Sequence, residues 1–106
     1  MGALEITANN FEQEVMQSSK PVFLDFWSPS CGPCLRILPI VDEIAAEVDD
    51  VKIAKVNIAQ EMDLARKFGV SSIPFLAIVK DGKMVDSTLG ARPKEDLLEF
   101  IAPYRV

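Results

Sequence analysis

Histidine is missing from all 106 residues, and cysteine occurs only twice. Structural zinc usually takes four Cys or His ligands, so a zinc centre inside one chain is excluded and only one shared between two chains stays open. Basic residues are in the minority, with 11 Lys and Arg against 16 Asp and Glu and a formal net charge of −5. Nucleic-acid surfaces need clustered Lys and Arg to displace counterions from phosphate. None is expected here, and an acidic balance mostly serves solubility. No apolar run approaches the ~18 residues of a membrane span, so no membrane association is expected. The opening MGALEITANN lacks the basic stretch and apolar run of a secretory leader, which makes the cytoplasm the default address. Met1-Gly2 is not an acylation signal, because Ile6 stands where that motif takes Ser or Thr. Internal repeats, low-complexity tracts and linkers are absent too, so residues 1–106 read as a single domain. With 49% apolar and 25% charged residues, such a chain can close one ordinary core.

What is present is a series of short apolar segments of changing period, separated by turn residues. Leu4 to Thr7 reads as a short strand. Asn9 or Asn10 is placed to cap a helix with Phe11, Val15 and Met16 on one face, ended by Lys20-Pro21. VFLDFW, residues 22–27, is nearly unbroken in its apolar character, the mark of a strand covered on both sides. From Gly32 to Val48, Leu35, Leu38, Val41, Ile44, Ala45 and Val48 recur at helical spacing, with Pro39 expected to kink the helix. Val51 to Ile58 supplies the next strand, so strand, helix and strand form a crossover between parallel neighbours. Glu61 to Phe68 predicts a short helix stopped by Gly69. FLAIV after Pro74 and MVDSTL, joined through Asp81-Gly82, predict an antiparallel hairpin. Pro93 suits the start of a last helix whose apolar face holds Leu97, Leu98, Ile101 and Ala102. The class is therefore α/β, a mixed sheet with helices on both faces.

Both thiols fall in the stretch SPSCGPCLRILP. Cys31 follows the apolar strand and a Ser-Pro-Ser loop, which puts it at the N-terminal end of the long helix with Cys34 one turn further in. Free amides and the positive helix end stabilise a thiolate at Cys31 and do less for Cys34, so Cys31 is expected to be the nucleophile. Residues three apart on a helix bring their Cβ atoms within about 5–6 Å, close enough to join as a disulfide with little backbone movement. The chemistry expected is attack by Cys31 on a substrate disulfide, a mixed disulfide, then release by Cys34. Pro33 stiffens the first helical turn, where its missing N–H costs little. A purely structural crosslink is the weaker reading, because so short a loop removes little unfolded-chain entropy compared with the ~3 kcal/mol of a 15-residue loop.

Cys-Gly-Pro-Cys after such a strand, inside a strand–helix–strand unit, resembles the thioredoxin family. The resemblance extends along the chain through Asp25 and Trp27 before the dithiol, Pro39 in the helix, Lys55 in AKVNI, Ile73-Pro74 before a strand, Asp81-Gly82 in the hairpin and Gly90-Ala91 before the last helix. It implies the thioredoxin fold, with a mixed sheet of about five strands flanked by about four helices. It also implies a monomeric protein-disulfide reductase without a cofactor, acting on protein disulfides and recharged by a thioredoxin reductase. Burial raises the pKa of a carboxyl. By resemblance Asp25 takes the proton of Cys34 when it resolves the mixed disulfide, with Lys55 as its partner on the adjacent strand. Resemblance also makes Pro74 cis, against about 5–6% for an X-Pro bond in general, and lets the backbone of Ile73 receive an extended substrate segment by β-strand addition. Trp27 becomes a wall beside the dithiol, and Gly32, Pro33 and Gly90 complete the contact surface.

Three positions depart from the family pattern. Ser30 replaces the usual Trp before the first cysteine, Leu35 the common Lys after the second, and Phe75 the usual Thr after the proline. Partner choice, rather than the reaction, is expected to shift. Two other functions remain open at this point. A thiol oxidant or isomerase would need a reduction potential above about −270 mV, the established value for thioredoxin itself. A redox-independent binding subunit would keep working without its cysteines.

Overall fold

The computed structural model describes residues 2–106, so the Met1-Gly2 reading lies partly outside the described residues. Five strands, β1 (Leu4–Glu5), β2 (Val22–Trp27), β3 (Lys52–Asn57), β4 (Phe75–Lys80) and β5 (Lys83–Leu89), form one sheet in the order β1-β3-β2-β4-β5. The helices are α1 (Gly32–Glu47), α2 (Met62–Lys67) and α3 (Lys94–Ile101), with a π-helical segment Glu12–Met16 before β2 and a 3-10 turn, Ala102–Tyr104, at the end. This is the thioredoxin fold. β3 runs parallel to β1 and β2, whereas β4 is antiparallel to β2 and β5.

β2 lies between β3 and β4, and Val22 through Phe26 are all buried, as the unbroken VFLDFW run requires of a strand with both faces covered. Its residues alternate between two cores. Val22, Leu24 and Phe26 pack with Phe11, Val15 and Leu64 on one side. Phe23 packs with Ile37, Val41 and Ile44 of α1 and Leu97 and Ile101 of α3 on the other. The β4–β5 hairpin turns on Asp81 (φ 52°) and Gly82 (φ 76°), the two left-handed positions that an Asp-Gly turn supplies most readily.

Two expectations are corrected. Neither Asn9 nor Asn10 caps the first helix forward: Asn10 Oδ1 accepts the Thr7 N–H at 2.8 Å and its Nδ2 donates to the Glu5 carbonyl at 3.0 Å. The Phe11 N–H donates to the Thr7 carbonyl, so backbone turns from Thr7 start the segment, and its helical part closes at Met16. The buried stripe of α1 runs through Cys34, Ile37, Val41 and Ile44 and continues to Val48, while Leu35 is 45% exposed. Apolar residues occupy both 34/35 and 37/38, so spacing alone permits two helical phases about 100° apart.

Candidate active site

The chain turns from β2 into α1 through a loop that is hydrogen-bonded to itself. The Ser30 N–H donates to Ser28 Oγ at 3.3 Å, the two hydroxyls lie 3.0 Å apart, and the Cys31 N–H donates to the Ser28 carbonyl at 3.1 Å. Cys31 thereby becomes the N-cap of α1, in extended conformation (φ −99°, ψ 106°), with Gly32 and Pro33 as the first two helical residues, both exposed. The Cys34 N–H donates to Cys31 Sγ at 3.2 Å. The sulfur thus takes the place of the side-chain oxygen that ordinarily satisfies a free amide at a helix start.

Cys31 and Cys34 are joined as a disulfide with their Cα atoms 5.2 Å apart. Cys31 is half-buried and Cys34 completely buried, so only the first sulfur is open to a partner. On reduction, a thiolate at Cys31 keeps the Cys34 amide and the positive helix end. Cys34 has no such end position.

Two further segments converge on the dithiol. The Ile73-Pro74 peptide is cis, and the Ile73 carbonyl oxygen lies 3.9 Å from Cys31 Sγ. Gly90 (φ 91°) donates its N–H to the Pro74 carbonyl at 2.9 Å, tying the β5–α3 connection to this loop in a conformation that favours glycine. Trp27, half-buried, ends β2 opposite Asn57, and its Nε1 is enclosed without an acceptor among the described residues.

Asp25 is fully buried, with neither carboxyl oxygen hydrogen-bonded among the described residues. It lies on the α1 side of the sheet, two residues beyond Phe23 toward the dithiol end, as Cys34 lies one turn beyond Ile37. Burial pushes its carboxyl up to about 7, against a smaller downward pull from the Lys55 ammonium. Lys55 stands directly opposite Asp25 in the β2–β3 register, but its Nζ approaches Asp42 Oδ1 of α1, at 4.0 Å. Sequence reasoning did not single out Asp42, because an acid one step beside the buried stripe of an amphipathic helix has the pattern of any solvated charge.

The thioredoxin family model matches residues 2–103. The chain belongs to the thioredoxin family. Thioredoxin 1 of Synechococcus elongatus is 49% identical over 96 residues, 90% of each chain, and the thioredoxin of Pyropia yezoensis is 41% identical over 105, 98% of each. The thioredoxin of Haemophilus influenzae is 44% identical over 99 residues, 92% of each chain. Thioredoxins are protein-disulfide oxidoreductases, and this chain is a disulfide reductase of that kind. Protein disulfides are its substrates and a reductase its electron donor.

Proposed function

We propose that the reaction is divided between the two cysteines. The Cys31 thiolate attacks one sulfur of a substrate disulfide, forming a mixed disulfide and expelling the other sulfur as thiolate. Cys34 gives its proton to Asp25 and attacks Cys31 Sγ, which forms the Cys31–Cys34 disulfide and releases the second substrate sulfur. Two electrons pass from the dithiol to the substrate, and a thioredoxin reductase returns them. The observation that carries this division is the contrast between an accessible sulfur at the helix cap and a buried one a turn inside. An extended substrate segment would lie along the Ile73 backbone, with Trp27, Gly32, Pro33, Pro74 and Gly90 around it. Lys55 acts on Asp25 as the nearest cation on the neighbouring strand. The chain would work as a cofactor-free monomeric domain, in cytoplasmic electron transport, binding neither nucleic acid nor membrane.

The test is trapping. Cys34→Ser should accumulate the mixed disulfide with a protein substrate, whereas Cys31→Ser should form none; trapping through Cys34 would reverse the assignment. The reduction potential, followed through Trp27 fluorescence, separates the chemistries. A value near −270 mV fits a reductase, and one near −180 mV, typical of isomerases, would move the protein to disulfide formation or isomerisation.

A further inference from the structure

The ammonium opposite the buried carboxyl is shared with a second acid. Asp42 sits on α1 one residue past Val41, partly exposed, and its Oδ1 lies 4.0 Å from Lys55 Nζ. The same oxygen accepts the Ala3 N–H at 2.9 Å, which fixes the carboxylate from the segment leading into β1. Even a Cβ on Gly2 would come within 3.0 Å of it. Asp25, beside Lys55 in the β2–β3 register, receives no hydrogen bond from that ammonium or from any other group among the described residues.

We infer that Asp42 is a positioning residue: it holds the Lys55 ammonium toward the rim of α1, away from Asp25, and so sets the pH at which Asp25 exchanges its proton. Among the described residues, the remaining surroundings leave Lys55, with Asp42, as the variable charge beside Asp25. On β4, Asp25 faces Leu76, and α3 offers this layer Leu97 and Ile101. On α1 the groups are the apolar Ile37 and Val41, Cys34, which is bonded to Cys31, and Asp42. Glu5 of β1, opposite Lys55 on its other side, is exposed. Glu43 and Glu47 are occupied at the rim by Lys94, each at 2.7 Å. An opposite charge brought within about 4–6 Å favours an ionised carboxylate by roughly 1–3 pH units. Asp42 keeps the pull of Lys55 on Asp25 smaller than the opposing effect of burial and thereby holds its proton exchange near neutrality.

The inference rests on the reading of Asp25 as the proton acceptor of Cys34, and the experiment separates the two. The Asp25 carboxyl is titrated by carbon NMR in the oxidised wild-type protein and in Asp42→Asn, Lys55→Met and the double variant. Asn keeps an oxygen for the Ala3 amide while removing the charge. Freed Lys55 should turn toward Asp25, lowering its midpoint by about one pH unit; Asp42→Glu should restore it, and Asp42→Asn should have little effect once Lys55 is Met. An unchanged or raised midpoint in Asp42→Asn would overturn the inference, as would an equal fall without Lys55, which would mark a direct charge effect. The pH profile of Cys34 attack is followed on the same proteins in their reduced form. A profile that moves with the carboxyl supports both readings. One that stays fixed while the carboxyl moves removes Asp25 from the resolving step and leaves its control by Asp42 standing.

Discussion

At the N-terminal end of α1 a carboxyl is sealed beneath the sheet-facing side of the helix; just past the other end, about 24 Å away along a 16-residue helix, a second one is fully served. Asp25 has no hydrogen-bond partner among the described residues and is pushed up to about 7. At Asp50 partial enclosure also works upward, but the Val106 amide, its own amide and the Arg105 guanidinium outweigh it and hold the carboxyl below its ordinary value. Arg105 Nε lies 3.0 and 3.2 Å from the two oxygens, and the Val106 N–H donates at 3.1 Å. The same chemical group is thus left unsatisfied at one helix end and saturated at the other. An unsatisfied buried acid is costly, and perturbed groups concentrate where chemistry is done. The contrast therefore marks the dithiol end as the working end without reference to the cysteines.

The largest expected effect comes from removing the unsatisfied acid. The sign follows from proton counting: between about pH 4 and 7 the folded chain holds a proton on Asp25 that the unfolded chain has lost, so this group lowers stability as pH rises. A rise from 3.8 to about 7 corresponds to a penalty on the order of 4 kcal/mol once Asp25 is ionised. Asp25→Asn should be more stable than wild type by that order at pH 9 and nearly equal to it at pH 4, measured by urea unfolding of the oxidised protein. The same substitution should slow attack by Cys34 about 100-fold, the lower range for loss of a positioned acid–base group. Equal stability at pH 9 would mean that water reaches the carboxyl.

Why Asp25 was legible and Asp42 was not comes down to contrast with neighbours. An acid within VFLDFW breaks an apolar run and invites explanation, as do two cysteines a helical turn apart. The β2–β3 and β4–β5 pairings also followed from the sequence, because the crossover length demands parallel neighbours and Asp-Gly a tight hairpin; the places of β1 beside β3 and of β4 beside β2 rest on contacts that no local pattern encodes. Local competition hid the rest. Asn10 had two ways to satisfy backbone groups and took the one facing backward, toward Glu5 and Thr7. The helix had two apolar phases, of which the Cys31 cap and the buried Cys34 admit one. Lys55 could be assigned to Asp25 from strand register, but its distance to a helix acid exists only after α1 is laid across the sheet.

A smaller effect tests whether the surface at the working end selects partners. Leu35 exposes an apolar side chain directly after Cys34, and the Ser30 hydroxyl is turned toward Ser28. The polar partners of Cys31 Sγ are instead the Cys34 amide and the Ile73 carbonyl. Ser30→Trp combined with Leu35→Lys should therefore change the ratio of reduction rates for two different protein disulfides several-fold, while the potential of the dithiol moves little. An unchanged ratio would assign both positions to plain solvent contact.

The smallest effect belongs to the satisfied end, and its sign is opposite to that at Asp25. A carboxyl held below its ordinary value stabilises the fold above the unfolded-state pKa, and that contribution disappears as pH falls through the folded value. Asp50→Asn should thus unfold at slightly lower urea than wild type at pH 7 and become indistinguishable from it in strong acid. The loss is small because Asp50 and Arg105 reach solvent and such pairs contribute little. Salt should shrink the difference further. Disulfide reduction should be unaffected, since the residue lies a full helix length from Cys31. A change in turnover with Asp50→Asn would show instead that the two ends of α1 are coupled, and the division between a reactive end and a fastened one would fail.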